Sequence, residues 1–288
     1  MNSEAIRRLL GTELAQNDPN YLTYSVPRTD LLSKLRSFDN RLCIINAARG
    51  SGKSALLINC KDEIRRVYPN DVIIHKFYSD IQFPPDDTGV NHYVAFWKNT
   101  LLAWIVAEIG KRKGIAFSDS DISAVEIAEK LGVKERNIVG SLLKRIKFKG
   151  LPIDKLDYDP EITDDLFSRL SSGISYHFWL LLDEMDDHYS EARVNSLIVL
   201  MQASQHLTQK HQGIFIRLTI RPHILTLLRK KDDVIQTFRS QELQVYWSVQ
   251  QLEELLAYRV YVYEGLHQAS QLSLLPDTPY TTSKSQKR

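Results

Sequence analysis

Short apolar runs that end in turn residues alternate with longer stretches of helical period, and this alternation constrains the fold more than any other feature. Leu42–Ala47 (LCIINA), Asp71–Tyr78 (DVIIHKFY), Phe178–Asp183 (FWLLLD) and Gly213–Ile220 (GIFIRLTI) read as buried parallel strands. Leu243–Trp247 adds a short fifth candidate. Helical periodicity covers Lys53–Val67, and further helices read at Val90–Ile109, at Glu191–Leu207, from about Pro222, and through Gln250–Glu264. Repetition of strand, crossover helix and strand predicts an α/β domain with a mostly parallel sheet.

One region breaks this rhythm. From about Gly110 to Gly173 there are helix and loop patterns but no strand, so 110–173 reads as a helical insertion within a domain spanning 22–265. Residues 1–21 read as an amphipathic N-terminal helix, and 266–288, rich in Ser, Thr, Gln and Pro, as a flexible tail. The N-terminus lacks the apolar core of a signal peptide. No run approaches the ~18 apolar residues that span a bilayer; the longest, Val94–Ile109, carries Lys98, Asn99 and Glu108. The expectation is a cytoplasmic protein without a membrane partner. A formal net charge of +2 does not by itself imply a nucleic-acid or membrane partner. The only two cysteines, Cys43 and Cys60, sit in apolar runs and read as core fillers. His177, His188 and His223 are scattered, without the spacing of a zinc site.

Between the first strand and its helix lies Ala47-Ala48-Arg49-Gly50-Ser51-Gly52-Lys53-Ser54, followed by Ala55. It matches the phosphate-binding pattern G-x-x-x-x-G-K-[ST] except for Ala47 at the first position, where a small residue serves. The chemistry explains the residue types. Successive backbone N–H groups and a helix N-terminus face an anion. Gly50 and Gly52 allow the backbone to turn closely. Lys53 reaches β- and γ-phosphates, and the Ser54 hydroxyl is a Mg²⁺ ligand.

Two further motifs extend this reading. In HFWLLLDEMDD (His177–Asp187), an acid closes an apolar strand, which puts Asp183 at the carboxyl edge of the sheet. Asp183 would complete the Mg²⁺ shell with Ser54, and Glu184 is the residue type that polarises an attacking water. In IRLTIRPHIL (Ile216–Leu225), Thr219 and Arg221 sit at or just past a strand end, where they can sense or stabilise a γ-phosphate. Arg217 is a competing cation; strand alternation puts it on the same face as Thr219.

Several alternatives lack their signatures. No Asn/Thr-Lys-x-Asp guanine motif follows a later strand, and the LSSG at Leu170–Gly173 lies too close to Asp183 to be a transporter signature. A small-molecule or nucleotide kinase stays open, because KRKG and KRIKFK imitate an arginine-rich lid. A module that binds nucleotide without hydrolysing it stays open as well.

AARGSGKS, LLLDEMDD and LTIRP, in that order, resemble the ATP-hydrolysing P-loop branch with an additional strand and a catalytic glutamate. Within it, the chain is similar to bacterial STAND/KAP-like and origin-recognition-like AAA+ ATPases. The resemblance implies a P-loop NTPase three-layer α/β/α fold, ATP and Mg²⁺ as cofactors, and a conformational switch acting on a protein partner or in a homo-oligomer. By family analogy, nucleic-acid-linked repair or antiviral defence is the setting. It also implies that Val26, Pro27 and Arg28 lie beside the base and ribose, and that Tyr246–Val260 closes the ATPase domain. Such families continue into a helical lid or winged helix, so a partner would supply these parts or the ATPase is a reduced one.

Within the insertion, Ser123–Ile146 imitates a helix-turn-helix, with Ala128 and Leu131 on one face, Gly132 at the turn, then Ile138 and Leu142. Lys144, Arg145, Lys147 and Lys149 could contact nucleic-acid phosphates. The competing reading is a helical hairpin packed on the core.

Overall fold

The computed structural model describes residues 15–18, 21–26, 28–81, 90–112, 119–130, 164–172, 174–187 and 191–272. These fall into two compact units. One is built from 29–246 and the other from 1–28 together with 247–288.

The first unit carries a five-stranded parallel sheet. Its strands are β1 (Leu42–Ala47), β2 (Val72–Phe77), β3 (Phe178–Asp183), β4 (Ile214–Ile220) and β5 (Glu242–Val245), in spatial order β2-β3-β4-β1-β5. The chain therefore returns to insert β4 between β1 and β3. The helices of this unit are α1 (Thr29–Leu35), α2 (Lys53–Val67), α3 (Val90–Arg112), α4 (Asp119–Lys130), α5 (Asp164–Ser171), α6 (Glu191–Lys210) and α7 (Pro222–Lys231). They cover both faces of the sheet, which makes the unit a three-layer α/β/α architecture.

Side-chain alternation decides which face each residue meets. Leu42 and Ile44 of β1, Leu180 and Leu182 of β3, and Ile216 and Leu218 of β4 join the core formed with α3 and α6. Cys43, Ile45, Trp179, Leu181 and Phe215 face the other core, under α1 and α2. The period of two then puts Ala47, Asp183, Arg217 and Thr219 on this second face. β3 and β4 are buried along their full length, which explains their unbroken apolar character.

Helix α3 is buried around much of its circumference (Trp97, Leu101, Leu102, Ile105, Val106 and Ile109), so no amphipathic stripe marks it in the sequence. It meets α4 at a point where Gly110 is required. A Cβ there would stand 2.0 Å from the Ala124 carbonyl oxygen. The described part of the insertion thus packs on the sheet domain: Ala124, Ile127 and Ala128 of α4 and Leu166, Phe167 and Leu170 of α5 belong to the main core. Ala128, expected on the apolar face of a helix-turn-helix, is buried there. The remaining residues of that motif, Leu131 to Ile146, and the cations Lys144, Arg145, Lys147 and Lys149 lie outside the described residues.

Sequence boundaries needed adjustment at several ends. α3 continues to Arg112 and α6 to Lys210. A 3₁₀ segment at Asp233–Gln241, which buries Ile235 and Phe238, was not apparent from periodicity. In the second unit a helix α8 runs from Val249 to Leu272, so the tail expected from residue 266 begins as helix. Most of the expected N-terminal helix lies outside the described residues. No described helix is long and apolar enough to cross a membrane.

Candidate functional site

Parallel strands bring their carboxyl ends to one edge, and here that edge collects the chemistry. β1 ends at Ala47, β3 at Asp183 and β4 at Ile220, with β1 and β3 each paired to β4. After Ala47 the chain makes a tight turn, in which the Ser51 backbone N–H (3.2 Å) and hydroxyl (2.6 Å) both donate to the Ala48 carbonyl. Gly50 and Gly52 have φ of 77° and 84°, in the left-handed region that L side chains rarely adopt. A Cβ at Gly50 would meet nothing within 4 Å, and one at Gly52 only the Ala55 methyl at 3.8 Å. Backbone conformation, rather than crowding, is what asks for glycine at both positions.

Helix α2 starts directly after Gly52, and no side chain caps it. The amide groups of Lys53, Ser54 and Ala55 therefore open the helix at the mouth of the loop, as an anion site requires. Lys53 folds back over the loop, its ammonium donating to the carbonyls of Ala47 and Ala48 at 3.3 Å each. Burial pushes this ammonium below its ordinary value; Asp186 opposes the shift, Arg221 adds to it, and Asp183 and Glu184 oppose it more weakly. Charged groups at the ends of β3 and β4 thus act on a lysine that follows β1. Arg49 is exposed on the outer side of the turn.

Asp183 is fully buried. Its Oδ1 accepts the Thr219 hydroxyl at 2.7 Å and the Glu184 N–H at 3.0 Å. The Glu184 N–H also donates to Thr219 Oγ1 at 3.1 Å. Glu184 itself has φ 58°, the one non-glycine residue with positive φ among the described residues. Such a conformation costs on the order of 1–3 kcal/mol and persists only where surrounding contacts fix it; Asp183 and Thr219 supply them. Thr219 therefore positions Asp183 and Glu184 from the neighbouring strand.

The second oxygen of Asp183, Oδ2, is buried without a hydrogen-bond partner among the described residues. An orphaned carboxylate oxygen of this kind fits a cation ligand. No group of three or more His, Cys, Asp or Glu is gathered for a metal among the described residues. Ser54, half-buried in the first turn of α2, is the hydroxyl that would join Asp183.

Arg221 leads into α7, with Pro222 at the first helical position. Its backbone N–H donates to Asp186 Oδ2 at 2.7 Å, and its guanidinium pairs with Asp187. Arg217 behaves differently. It is fully buried in the middle of β4, donating to the carbonyls of Leu35 (2.6 Å), Ile216 (3.0 Å), Arg41 (3.2 Å) and Ser37 (3.4 Å) and lying 5.0 Å from the Trp179 ring centre. It shares a face with Thr219, as alternation requires, yet it staples the α1–β1 connection and is a structural residue.

Arg28 belongs to the other unit, where its guanidinium lies over the Trp247 ring at 5.0 Å. Val26 is also in that unit, and Pro27 lies outside the described residues. Cys43 and Cys60 are free and buried. Burial raises both thiols, that of Cys60 to about 12, which leaves them inert fillers. His177 bonds Asp71 through its backbone N–H and its ring Nδ1; His188 lies outside the described residues.

Several residues around the site carry no motif of their own in the sequence. His75 on β2 is close enough for the Asp183 carboxylate to hold up an imidazole that burial otherwise depresses. Asp186 and Asp187, past the end of β3, engage Arg221. Asn46, just before the loop, donates to Glu242 of β5, which also pairs with Arg229 of α7. The acidic run itself was a usable signal for Asp186 and Asp187, whereas His75 and Glu242 required the strand order. No family model matches the chain, and no curated protein matches it.

Proposed function

We propose that this chain binds ATP with Mg²⁺ and hydrolyses it, coupling hydrolysis to a conformational change. The observation that carries the reading is the convergence of Lys53, Asp183, Glu184, Thr219 and Arg221 at one sheet edge from three separate strands. The position of β4 between β1 and β3 supports it, because this order is what brings Thr219 against Asp183.

Each residue then has a role. The amides of Gly50 to Ser54 and the α2 N-terminus bind phosphate oxygens. Lys53 neutralises the charge that develops on them. Asp183 and Ser54 hold the metal, which supplies electrostatic stabilisation of the phosphoryl group when bound. Glu184 orients a water and accepts its proton. Thr219 fixes the Glu184 backbone, and Arg221 supplies a second cation toward the transferred phosphoryl group.

The test is a pair of variants read by nucleotide binding and phosphate release. Lys53→Ala should lose ATP binding. Glu184→Gln should bind ATP as wild type does and release no phosphate above background. Equal turnover in Glu184→Gln and wild type would sink the assignment of the base. ADP formed without matching free phosphate would favour transfer to a small acceptor instead.

A further inference from the structure

We infer that Asp187, with the buried Asp186 behind it, restrains the affinity of this site for a triphosphate but not for a diphosphate, its carboxylate holding the Arg221 guanidinium as an internal stand-in for the third phosphoryl group. The inference rests on the nucleotide reading above.

The two carboxylates hold Arg221 in different ways. Asp186 is fully buried and anchors the Arg221 backbone through its N–H at 2.7 Å. Its Oδ2 stands 3.7 Å from Arg221 Nε, too far for a hydrogen bond, and that nitrogen has no hydrogen-bond partner among the described residues. The charge–charge contact of the guanidinium tip is made to Asp187 Oδ1. Asp187 has a third of its side chain exposed and closes the turn that starts at Glu184, its N–H donating to the Glu184 carbonyl at 2.9 Å. Arg221 is thus fixed at its backbone and reversibly held at its tip.

Lys53 connects this pair to the loop. Asp186 is its strongest carboxylate neighbour, and Arg221 is near enough to repel it. Asp186 attracts both cations and so offsets part of their mutual repulsion, in a partly buried site where charges are weakly screened. An anion lying between Lys53 and Arg221 would take over that work, and Asp187 could then turn into water. A diphosphate held by the loop amides and Lys53 leaves the Arg221–Asp187 pair intact. Only a third phosphoryl group competes with Asp187 for the guanidinium.

The experiment measures calorimetric affinities of the full chain for ADP and for a β,γ-imido ATP analogue, both with Mg²⁺. Asp187→Asn should tighten the triphosphate analogue about fivefold, in line with a partly exposed ion pair, and change ADP affinity by less than about twofold. In an Arg221→Ala background, Asp187→Asn should change neither. Weaker analogue binding in Asp187→Asn, or an equal gain for both nucleotides, overturns the inference, since the first means that Asp187 only positions Arg221 and the second that it is a general repulsive charge. Failure of the wild type to bind either nucleotide is a separate result, which removes the nucleotide reading and this inference together.

Discussion

Replacing Thr219 by valine removes one oxygen and keeps the shape, so the side chain still fills its place on β4. Thr219 is fully buried and donates to Asp183 Oδ1 at 2.7 Å while accepting the Glu184 N–H at 3.1 Å. The variant leaves the Glu184 N–H with Asp183 as its remaining acceptor, at 3.0 Å. Asp183 in turn keeps one donor for two buried oxygens, since Oδ2 already has no partner among the described residues. A hydrogen bond to a charged group contributes about 1.5–3 kcal/mol, and the added methyl offsets about 1 kcal/mol of its loss. The net is about 1 kcal/mol. For a unit of this size each kcal/mol moves the melting temperature by about 2–4 °C, so Thr219→Val should melt about 2–4 °C lower. The contact also holds Glu184 at positive φ, and a misplaced base should cost about tenfold or more in phosphate release. Thr219→Ser, which keeps the hydroxyl, should recover most of the turnover. A Thr219→Val protein with wild-type turnover and a melting temperature within about 1 °C of wild type would refute the reasoning.

Three further perturbations probe the frame around the site. Arg217→Met should lower stability by about 2–5 kcal/mol in urea denaturation, because the Leu35 and Ser37 carbonyls lose a buried donor; an unchanged midpoint would mean that water satisfies them. Gly110→Ala separates two effects of opposite sign: helix propensity favours alanine by about 1 kcal/mol, while a Cβ 2.0 Å from the Ala124 carbonyl forces α3 and α4 apart at about 3 kcal/mol or more. A destabilised variant is expected, and a stabilised one would show that the helices do not cross so closely. For His75, burial depresses the imidazole below its ordinary 6.5 in the folded chain. The unfolded chain then binds more protons, so stability is complete above pH 6.5 and falls as pH drops toward the depressed folded value. His75→Gln should flatten that part of the stability–pH curve, and an unchanged slope would refute the assignment.

Much of the local structure was legible from residue order. β1, α2 and β3 begin and end where the apolar runs and the glycine loop indicate. The loop glycines announce their positive φ through the strand-to-helix turn in which they sit. Glu184 carries no such mark: its left-handed backbone is imposed by Asp183 and Thr219, one of which lies 35 residues away. The two arginines of IRLTIRP make the same point. They look alike in the sequence, yet Arg217 is sealed in the middle of β4 and Arg221 stands just past its carboxyl end.

By itself, then, the sequence determined the elements and the residues that could do phosphate chemistry, because periodicities of 2 and 3.6 and the conformational needs of glycine are local properties of the chain. Tertiary structure alone decided the strand order β2-β3-β4-β1-β5, and with it the contact of Thr219 with Asp183, the approach of His75 and the capture of Arg221 by Asp186 and Asp187. Strand order is set by how crossover helices pack across the two faces of the sheet, a balance of long-range burial that no short window of residues encodes.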